Sequence, residues 1–151
     1  MSSVPRTYDV LLVEDDPHDA HLVAEVFRTM ELFRTFNSQV RLTVVGDGAE
    51  AIDYMHRRGP FASSNTPNLV LLDLKLVGMD GREVLREVKG DRQLQRVPVV
   101  VVSSSESPDD IAQCYELGAN GYVLKPSTFD QYLDSIGTMA RYWMVASRLP
   151  T

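Results

Sequence analysis

Short, continuous apolar runs alternate along this chain with segments in which apolar residues recur at helical spacing. Such alternation is typical of repeated β-strand and α-helix units around a parallel sheet, where both faces of each strand are buried. The pattern predicts five strands joined by five helices, with one long connection at residues 57–67. The predicted strands are residues 8–13, 69–72, 97–102 and 122–124, which are continuous runs, and residues 40–45, whose apolar residues alternate.

Capping residues mark where the predicted helices begin. A side-chain oxygen at the N-cap accepts hydrogen bonds from the first free N–H groups of a helix. Glycine closes many helices, because it readily adopts a left-handed backbone conformation. Gly90 and Gly118 stand where two of the predicted helices should stop. The expected N-caps are Asp16, Asp80, Ser107 and Thr128.

Bulk composition narrows the class of protein. The chain has 151 residues, the length of a single domain. Its formal net charge of −6 argues against nucleic-acid binding, which requires a basic face, and offers nothing to attract an anionic membrane. Cys114 is the single cysteine, which suits a reducing compartment. No apolar run approaches the ~20 residues needed to span a bilayer, so we expect a soluble, cytoplasmic protein.

Polar residues follow the apolar runs of four predicted strands. Glu14 and Asp15 follow the first strand, Asp73 the third, Ser103 the fourth and Lys125 the fifth. The carboxyl ends of parallel strands open onto a common crevice in which ligands bind. Each residue taken singly has an ordinary explanation as a solvated strand end or a turn. Together, three carboxylates, a hydroxyl and an ammonium predict a site for a divalent metal and a phosphoryl group.

The residue types in this crevice indicate a reaction. A carboxylate can attack phosphorus to form an acyl phosphate, and Asp73 ends the strand expected at the centre of the sheet. The ammonium of Lys125 is suited to pair with Asp73 at rest and with phosphate oxygens afterwards, while Ser103 can donate to the same phosphate. Mg²⁺ is the expected cation, with Mn²⁺ as the alternative, because it takes oxygen ligands and phosphate often completes its coordination.

Four motifs carry a family resemblance: residues 11–16 (LLVEDD), 71–73 (LLD) with 79–81 (MDG), 99–103 (VVVVS) and 118–126 (GANGYVLKP). In this order they resemble the receiver domain of two-component response regulators, over residues 8–141. The resemblance implies an α/β fold of the flavodoxin-like (βα)5 type, with a doubly wound five-stranded parallel sheet in the order 2-1-3-4-5. The receiver domain would occupy residues 8–147, between tails at 1–7 and 148–151, without an output domain.

The resemblance also implies how phosphorylation and metal binding are shared among the site residues. Asp73 is the expected phosphoacceptor, taking its phosphoryl group from the phosphohistidine of a histidine kinase. Glu14 and Asp15 would hold the metal together with Asp73 and the main-chain carbonyl of Lys75. Turnover of an external substrate is not expected of such a domain, which catalyses only its own phosphorylation and dephosphorylation.

Three further positions belong to the expected switch. By resemblance, Lys125 is the lysine of the family motif, Ser103 is the hydroxyl that senses phosphate, and Tyr122 turns inward when Ser103 moves. Two residues depart from the family pattern. Ser103 stands where threonine is commoner, and Val77 stands where many members have proline.

A narrower resemblance concerns the partner. The long connection before the third strand, residues 80–85 and the tail at 142–150 resemble single-domain regulators that are paired with bacterial phytochromes. This implies a bacteriophytochrome as the kinase.

The last helix carries a long apolar stripe. If it continued to Ser147 it would reach about 30 Å at 1.5 Å per residue, beyond strands of a typical ~17–20 Å. Its end should then overhang, exposing Trp143, Met144 and Val145 unless a partner covers them. We expect a homodimer through this helix, with the preceding helix and the last strand, and burial of the whole stripe in the core is the alternative. The predicted interface residues are Tyr132, Met139, Trp143 and Met144.

Two other functions compete with a phosphoacceptor switch. A metal-dependent phosphatase of the haloacid-dehalogenase type typically needs a second acid two positions after its nucleophile, where this chain has Lys75. A flavin-binding domain of the same topology would need hydroxyls and glycines after the first strand, where Glu14, Asp15 and Asp16 would repel phosphate. If the protein is such a switch, three roles stay open: a relay intermediate, a phosphate sink or an effector of a partner protein.

Overall fold

The computed structural model describes residues 6–30 and 38–150. Its five strands form one sheet in the order β2-β1-β3-β4-β5, and every neighbouring pair is parallel. The predicted flavodoxin-like topology is therefore confirmed. The strands are β1 (Arg6–Val13), β2 (Ser38–Val45), β3 (Leu69–Leu72), β4 (Val99–Ser103) and β5 (Gly121–Leu124).

Within residues 6–30 and 38–150, five α-helices alternate with these strands, and a short 3-10 helix (Gly59–Phe61) lies before β3. All four predicted N-caps are confirmed, because each side chain accepts a main-chain N–H of the helix that it precedes. Asp47 caps one more helix in the same way. Among the described residues, no helix is both long and apolar enough to cross a membrane. The helices are α1 (Pro17–Thr29), α2 (Gly48–Met55), α3 (Gly81–Gly90), α4 (Pro108–Glu116) and α5 (Phe129–Arg141).

The central strands bury both faces. Successive side chains of a strand point to opposite sides of a sheet. In β3, Leu69 and Leu71 pack into a core shared with α1 and α5, while Val70 and Leu72 pack into a second core shared with α2, α3 and α4. This two-sided burial explains the uninterrupted apolar runs, and it leaves the carboxyl ends of the strands as the place where polar side chains collect.

The start of α3 packs directly onto the chain that leaves β3. The N–H of Gly81 donates to the carbonyl of Leu74 at 2.8 Å. A β-carbon at Gly81 would lie 2.3 Å from the main-chain oxygen of Asp73, a distance that no side chain tolerates. Glycine at this position therefore allows α3 to close the loop that carries Asp73.

The end of the last helix does not overhang the domain as the sequence predicted. The α-helix stops at Arg141 and continues as one π-helical turn, Tyr142–Ala146. Met144 is only 5% exposed, and its carbonyl accepts the hydroxyl of Tyr8 at 3.0 Å. Trp143 is half-buried against the same core. The prediction failed because this turn packs back onto the sheet, where Tyr8 of β1 and the core between α1 and α5 cover it.

Two of the predicted interface residues in α5 are also internal. Tyr132 and Met139 are buried in the core between the sheet and helices α1 and α5. They and Met144 are therefore not surface residues of the single chain. The large apolar side chains of α5 and its π turn that are exposed are those of Leu133 and Tyr142.

Replacing Gly81 with alanine tests the close packing beneath Asp73. We expect Gly81→Ala to lower the free energy of unfolding by about 1–3 kcal/mol, as overpacking does elsewhere. Gly137→Ala is the matched control, because a β-carbon there has no neighbour within 4 Å. Alanine in the middle of α5 should raise the free energy of unfolding by roughly 0.5–1 kcal/mol. Urea denaturation measures both changes, and equal stability of the two variants would contradict the packing argument.

Candidate functional site

The sheet hydrogen bonding continues one residue past the strands and brings two carboxylates together. The N–H of Glu14 donates to the carbonyl of Val45, and the N–H of Asp73 donates to the carbonyl of Val13, each at 3.0 Å. Glu14 and Asp73 are both 5% exposed. Asp15 joins them, and ligand oxygens of the three carboxylates lie within 4.8 Å of one another. The sequence predicted this cluster correctly.

Lys125 places its ammonium in the middle of this negative charge. The chain leaving β5 is held beside β4, because the N–H of Lys125 donates to the carbonyl of Ser103 at 2.8 Å. Its Nζ lies 2.8 Å from Oε1 of Glu14 and 3.0 Å from Oδ2 of Asp73. It also lies 2.9 Å from Oδ2 of Asp19, in the first turn of α1. The pairing with Asp73 was predicted, whereas the contact with Asp19 was not.

One ammonium does not neutralise so many carboxylates. Burial and the neighbouring carboxylate of Asp73 raise the pKa of Glu14 to about 8, even though Lys125 acts in the opposite direction. Burial alone would lower the pKa of Lys125, but the hydrogen bonds that its ammonium donates to Glu14, Asp19 and Asp73 raise it above its ordinary value. The lysine is therefore firmly charged, and the carboxylates around it retain an excess of negative charge that favours a further cation.

The donor set fits a divalent metal of the hard class. Glu14, Asp15 and Asp73 offer three carboxylate oxygens, the ligand type that Mg²⁺ and Mn²⁺ share. In Asp73, Oδ1 accepts the N–H of Lys75 at 3.2 Å, so the main chain of the β3–α3 loop follows the cluster closely. The role of the Lys75 carbonyl as a further ligand stays a prediction.

Ser103 connects the cluster to the β4–α4 loop. Its hydroxyl oxygen, on a residue 1% exposed, accepts the N–H of Ser105 at 3.1 Å. The carbonyl of Ser105 accepts the hydroxyl of Tyr122 at 2.8 Å. The hydroxyl and the aromatic ring that the family resemblance assigned to a switch are therefore bound to the same residue of the same loop.

A second connection fixes this loop to α3. The hydroxyl of Ser105 donates to Oδ2 of Asp110 at 2.5 Å, and Nη2 of Arg82 donates to Oδ1 of Asp110 at 2.7 Å. The hydrogen bond from Ser105 and the charge of Arg82 lower the pKa of Asp110. The Nε atom of Arg82 is buried without a hydrogen-bond partner among the described residues. This ion pair holds α3, α4 and the loop in one arrangement.

Sequence reasoning missed Asp19 and the Arg82–Asp110 pair for different reasons. Asp19 lies in the first turn of α1, the helix that begins directly after Glu14, Asp15 and the cap Asp16, so its place beside the cluster could have been found. Arg82 and Asp110 lie 28 residues apart on separate helices, and no local pattern connects them.

Comparison with known proteins agrees with this geometry. A family model described as "Response regulator receiver domain" matches residues 10–137. The chain belongs to this family. It is 36% identical over 141 residues to the response regulator Rcp1 of Synechocystis sp., an alignment that covers 93% of this chain and 92% of Rcp1.

Two solved structures are similar over nearly the whole receiver chain. The phosphorylated cyanobacterial phytochrome response regulator RcpA is 36% identical, with a TM-score of 0.87 over 96% of this chain and 99% of RcpA. The Mn²⁺-bound form of Rcp1 is also 36% identical, with a TM-score of 0.85 over 95% of this chain and 99% of that one. The family and the fold are thus established for the chain, together with an acidic cluster suited to a divalent metal.

Proposed function

We propose that this receiver domain accepts a phosphoryl group on Asp73 from the phosphohistidine of a histidine kinase, in a reaction that requires Mg²⁺. The observation that carries the proposal is the setting of Asp73: it lies at the carboxyl end of β3, in contact with Lys125 and within the three-carboxylate cluster. The roles that follow are inferred from these contacts and from membership of the family.

The transfer step is a simple displacement at phosphorus. A carboxylate oxygen of Asp73 forms a bond to phosphorus while the bond from phosphorus to the imidazole nitrogen breaks, and the electron pair of that bond stays on the imidazole. Glu14, Asp15 and Asp73 would hold Mg²⁺, which supplies positive charge against the phosphoryl oxygens. Lys125 supplies a second positive charge, exchanging its contact with Asp73 for one with the phosphoryl group.

Signalling would follow from a change in the β4–α4 loop. The phosphoryl group adds roughly −1.5 to −2 charges and three acceptor oxygens. A movement of the Ser103 hydroxyl oxygen toward the phosphoryl group would change its contact with the N–H of Ser105. Because Tyr122 is hydrogen-bonded to the same residue, this change would shift the equilibrium between positions of the Tyr122 ring.

The chemistry favours a switch over a hydrolase. Lys75 stands two positions after Asp73, where a phosphatase with an aspartate nucleophile typically has a second acid. We therefore propose self-phosphorylation and self-dephosphorylation without turnover of an external substrate. A relay intermediate and a phosphate sink use the same chemistry and are the alternative outputs.

The similarity to Rcp1 and RcpA supports a phytochrome as the kinase, since RcpA is a phytochrome response regulator. We propose a bacteriophytochrome as the phosphodonor and the cytoplasm as the place of transfer. Phosphotransfer from a purified bacteriophytochrome kinase of the same organism, in its red and far-red states, tests this donor. Absence of transfer in both states would contradict the donor.

Intact mass after incubation with Mg²⁺ and acetyl phosphate tests the phosphoacceptor. We expect one added phosphoryl group that hydroxylamine removes, because hydroxylamine cleaves acyl phosphates. Asp73→Asn should acquire none, whereas Asp16→Asn should behave as the wild type, since asparagine caps helices as well as aspartate does. An adduct that survives in Asp73→Asn, or none in the wild type even when beryllofluoride is offered as a trap, would contradict the proposal.

We also propose that the chain forms a homodimer through α5, α4 and β5. Four large apolar side chains on these elements and on the π turn are exposed: Tyr115, Leu124, Leu133 and Tyr142. They take the place of the predicted interface residues that are buried. Trp143 is the one predicted interface residue that keeps partial exposure.

Sedimentation velocity at micromolar concentration tests the dimer. We expect a dimer for the wild type and a shift toward monomer for the double variant Leu133→Ser, Tyr142→Ser, because it removes apolar contact area. Val44→Thr is the control, an exposed apolar residue on the opposite edge strand. A wild-type monomer at this concentration would contradict the dimer.

A further inference from the structure

Asp19 uses both of its carboxylate oxygens to connect Lys125 with α5. Its Oδ2 lies 2.9 Å from Nζ of Lys125, and its Oδ1 accepts the hydroxyl of Tyr132 at 3.3 Å. Asp19 lies in the first turn of α1 and Tyr132 in the first turn of α5, two helices that pack against each other on the same face of the sheet. The position of the carboxylate is thus defined from two sides.

Among the described residues, Asp19 differs in kind from the other two partners of Lys125. Glu14 and Asp73 both belong to the group of three carboxylates that is suited to a metal, and Asp19 does not. A metal ion and the ammonium therefore share Glu14 and Asp73 as ligands. Asp19 can hold the ammonium without giving up an oxygen that the metal needs.

Tyr132 makes this partner rigid. The side chain is 2% exposed and lies in the core beneath α5. Burial, followed by the negative charge of Asp19, raises the pKa of Tyr132 to about 12. The hydroxyl therefore stays protonated at physiological pH and remains a donor to Asp19, and its ring is fixed by packing that does not depend on the metal.

We propose that Asp19 is a positioning residue for phosphorylation: it holds the ammonium of Lys125 beside Asp73 when the metal is bound, and Tyr132 fixes Asp19 from α5. This inference rests on the proposed phosphorylation of Asp73. It assigns to α1 and α5 a direct part in aligning the reacting groups. Loss of Asp19 should leave the metal ligands in place while the ammonium loses its fixed position.

Asp19→Asn tests this role, and Asp16→Asn is its matched control. Both variants remove one negative charge from the beginning of α1, and asparagine preserves the cap at position 16. The first readout is the ¹H–¹⁵N signal of the Lys125 ammonium in the Mg²⁺-bound protein without phosphodonor, assigned by its loss in Lys125→Arg. We expect a signal in the wild type and in Asp16→Asn, because an ammonium held by carboxylates exchanges slowly, and its loss in Asp19→Asn.

The second readout is the rate constant of phosphorylation by acetyl phosphate at saturating Mg²⁺. We expect a decrease of roughly tenfold in Asp19→Asn, the low end of what removing an orienting partner costs at metal sites, and an unchanged rate in Asp16→Asn. Saturating Mg²⁺ separates this effect from a weaker metal affinity. Tyr132→Phe keeps the charge of Asp19 and should give a smaller decrease, so it replaces Asp19→Asn if that variant does not fold.

The two readouts distinguish failure of this inference from failure of the proposed function. A Lys125 signal that is absent from the wild type or unchanged in Asp19→Asn would overturn the positioning role, whatever the phosphorylation result. Equal rates for Asp19→Asn and Asp16→Asn would overturn it as well. A wild type that is never phosphorylated would contradict the proposed function, while the ammonium signal would still decide whether Asp19 positions Lys125.

Discussion

A surplus of buried negative charge at one edge of the sheet is the constraint on which the rest of the structure depends. Burying a carboxylate is costly unless it is paired and hydrogen-bonded. Here three of them converge, with Asp19 close by, and Lys125 is the one ammonium in contact with the group among the described residues. The pKa of Glu14 is raised because Lys125 does not fully offset the burial of this carboxylate and its proximity to Asp73. Such a cluster favours binding of a divalent cation, and it places Asp73 in direct contact with Lys125.

Two sets of contacts lead away from this cluster in different directions. On one side of the sheet, Ser103 contacts Ser105, which is held by Tyr122 and by Asp110. On the other side, Lys125 contacts Asp19, which contacts Tyr132 in α5. The first set lies in the β4–α4 loop, whose small polar residues allow the loop to move. The second set includes the buried ring of Tyr132 in a packed core, which suits it to hold Lys125 in a fixed position beside Asp73.

Local patterns predicted those parts of the molecule that local physics determines. β3 agrees with its apolar run to the residue, and Asp16 and Ser107 cap helices as their side chains allow. The cluster was predicted because strand ends in a parallel sheet share one edge, a rule that needs no knowledge of side-chain contacts.

The remaining features depend on contacts between distant parts of the chain. Met144 is buried in a core against which Tyr8 also packs, and the hydroxyl of Tyr8, 136 residues away, donates to its carbonyl. An amphipathic stripe does not by itself distinguish burial in the chain's own core from burial against a partner, so the interface residues in α5 were misassigned. The Arg82–Asp110 pair likewise joins two helices through side chains alone. These contacts form only in the folded chain, and neither the spacing of residues nor the composition of the sequence indicates them.

The dependence of stability on Mg²⁺ tests the central claim most directly. Among the described residues, the Asp15 side chain has no ion pair or hydrogen bond, so it contributes negative charge without a partner of its own. In urea denaturation, Asp15→Asn should raise the metal-free free energy of unfolding by about 1 kcal/mol, the scale of the repulsion between two unit charges about 4 Å apart in water. It should also abolish the stabilisation by Mg²⁺ that the wild type and Asp16→Asn show. A loss of metal-free stability in Asp15→Asn, or full stabilisation of that variant by Mg²⁺, would contradict the account.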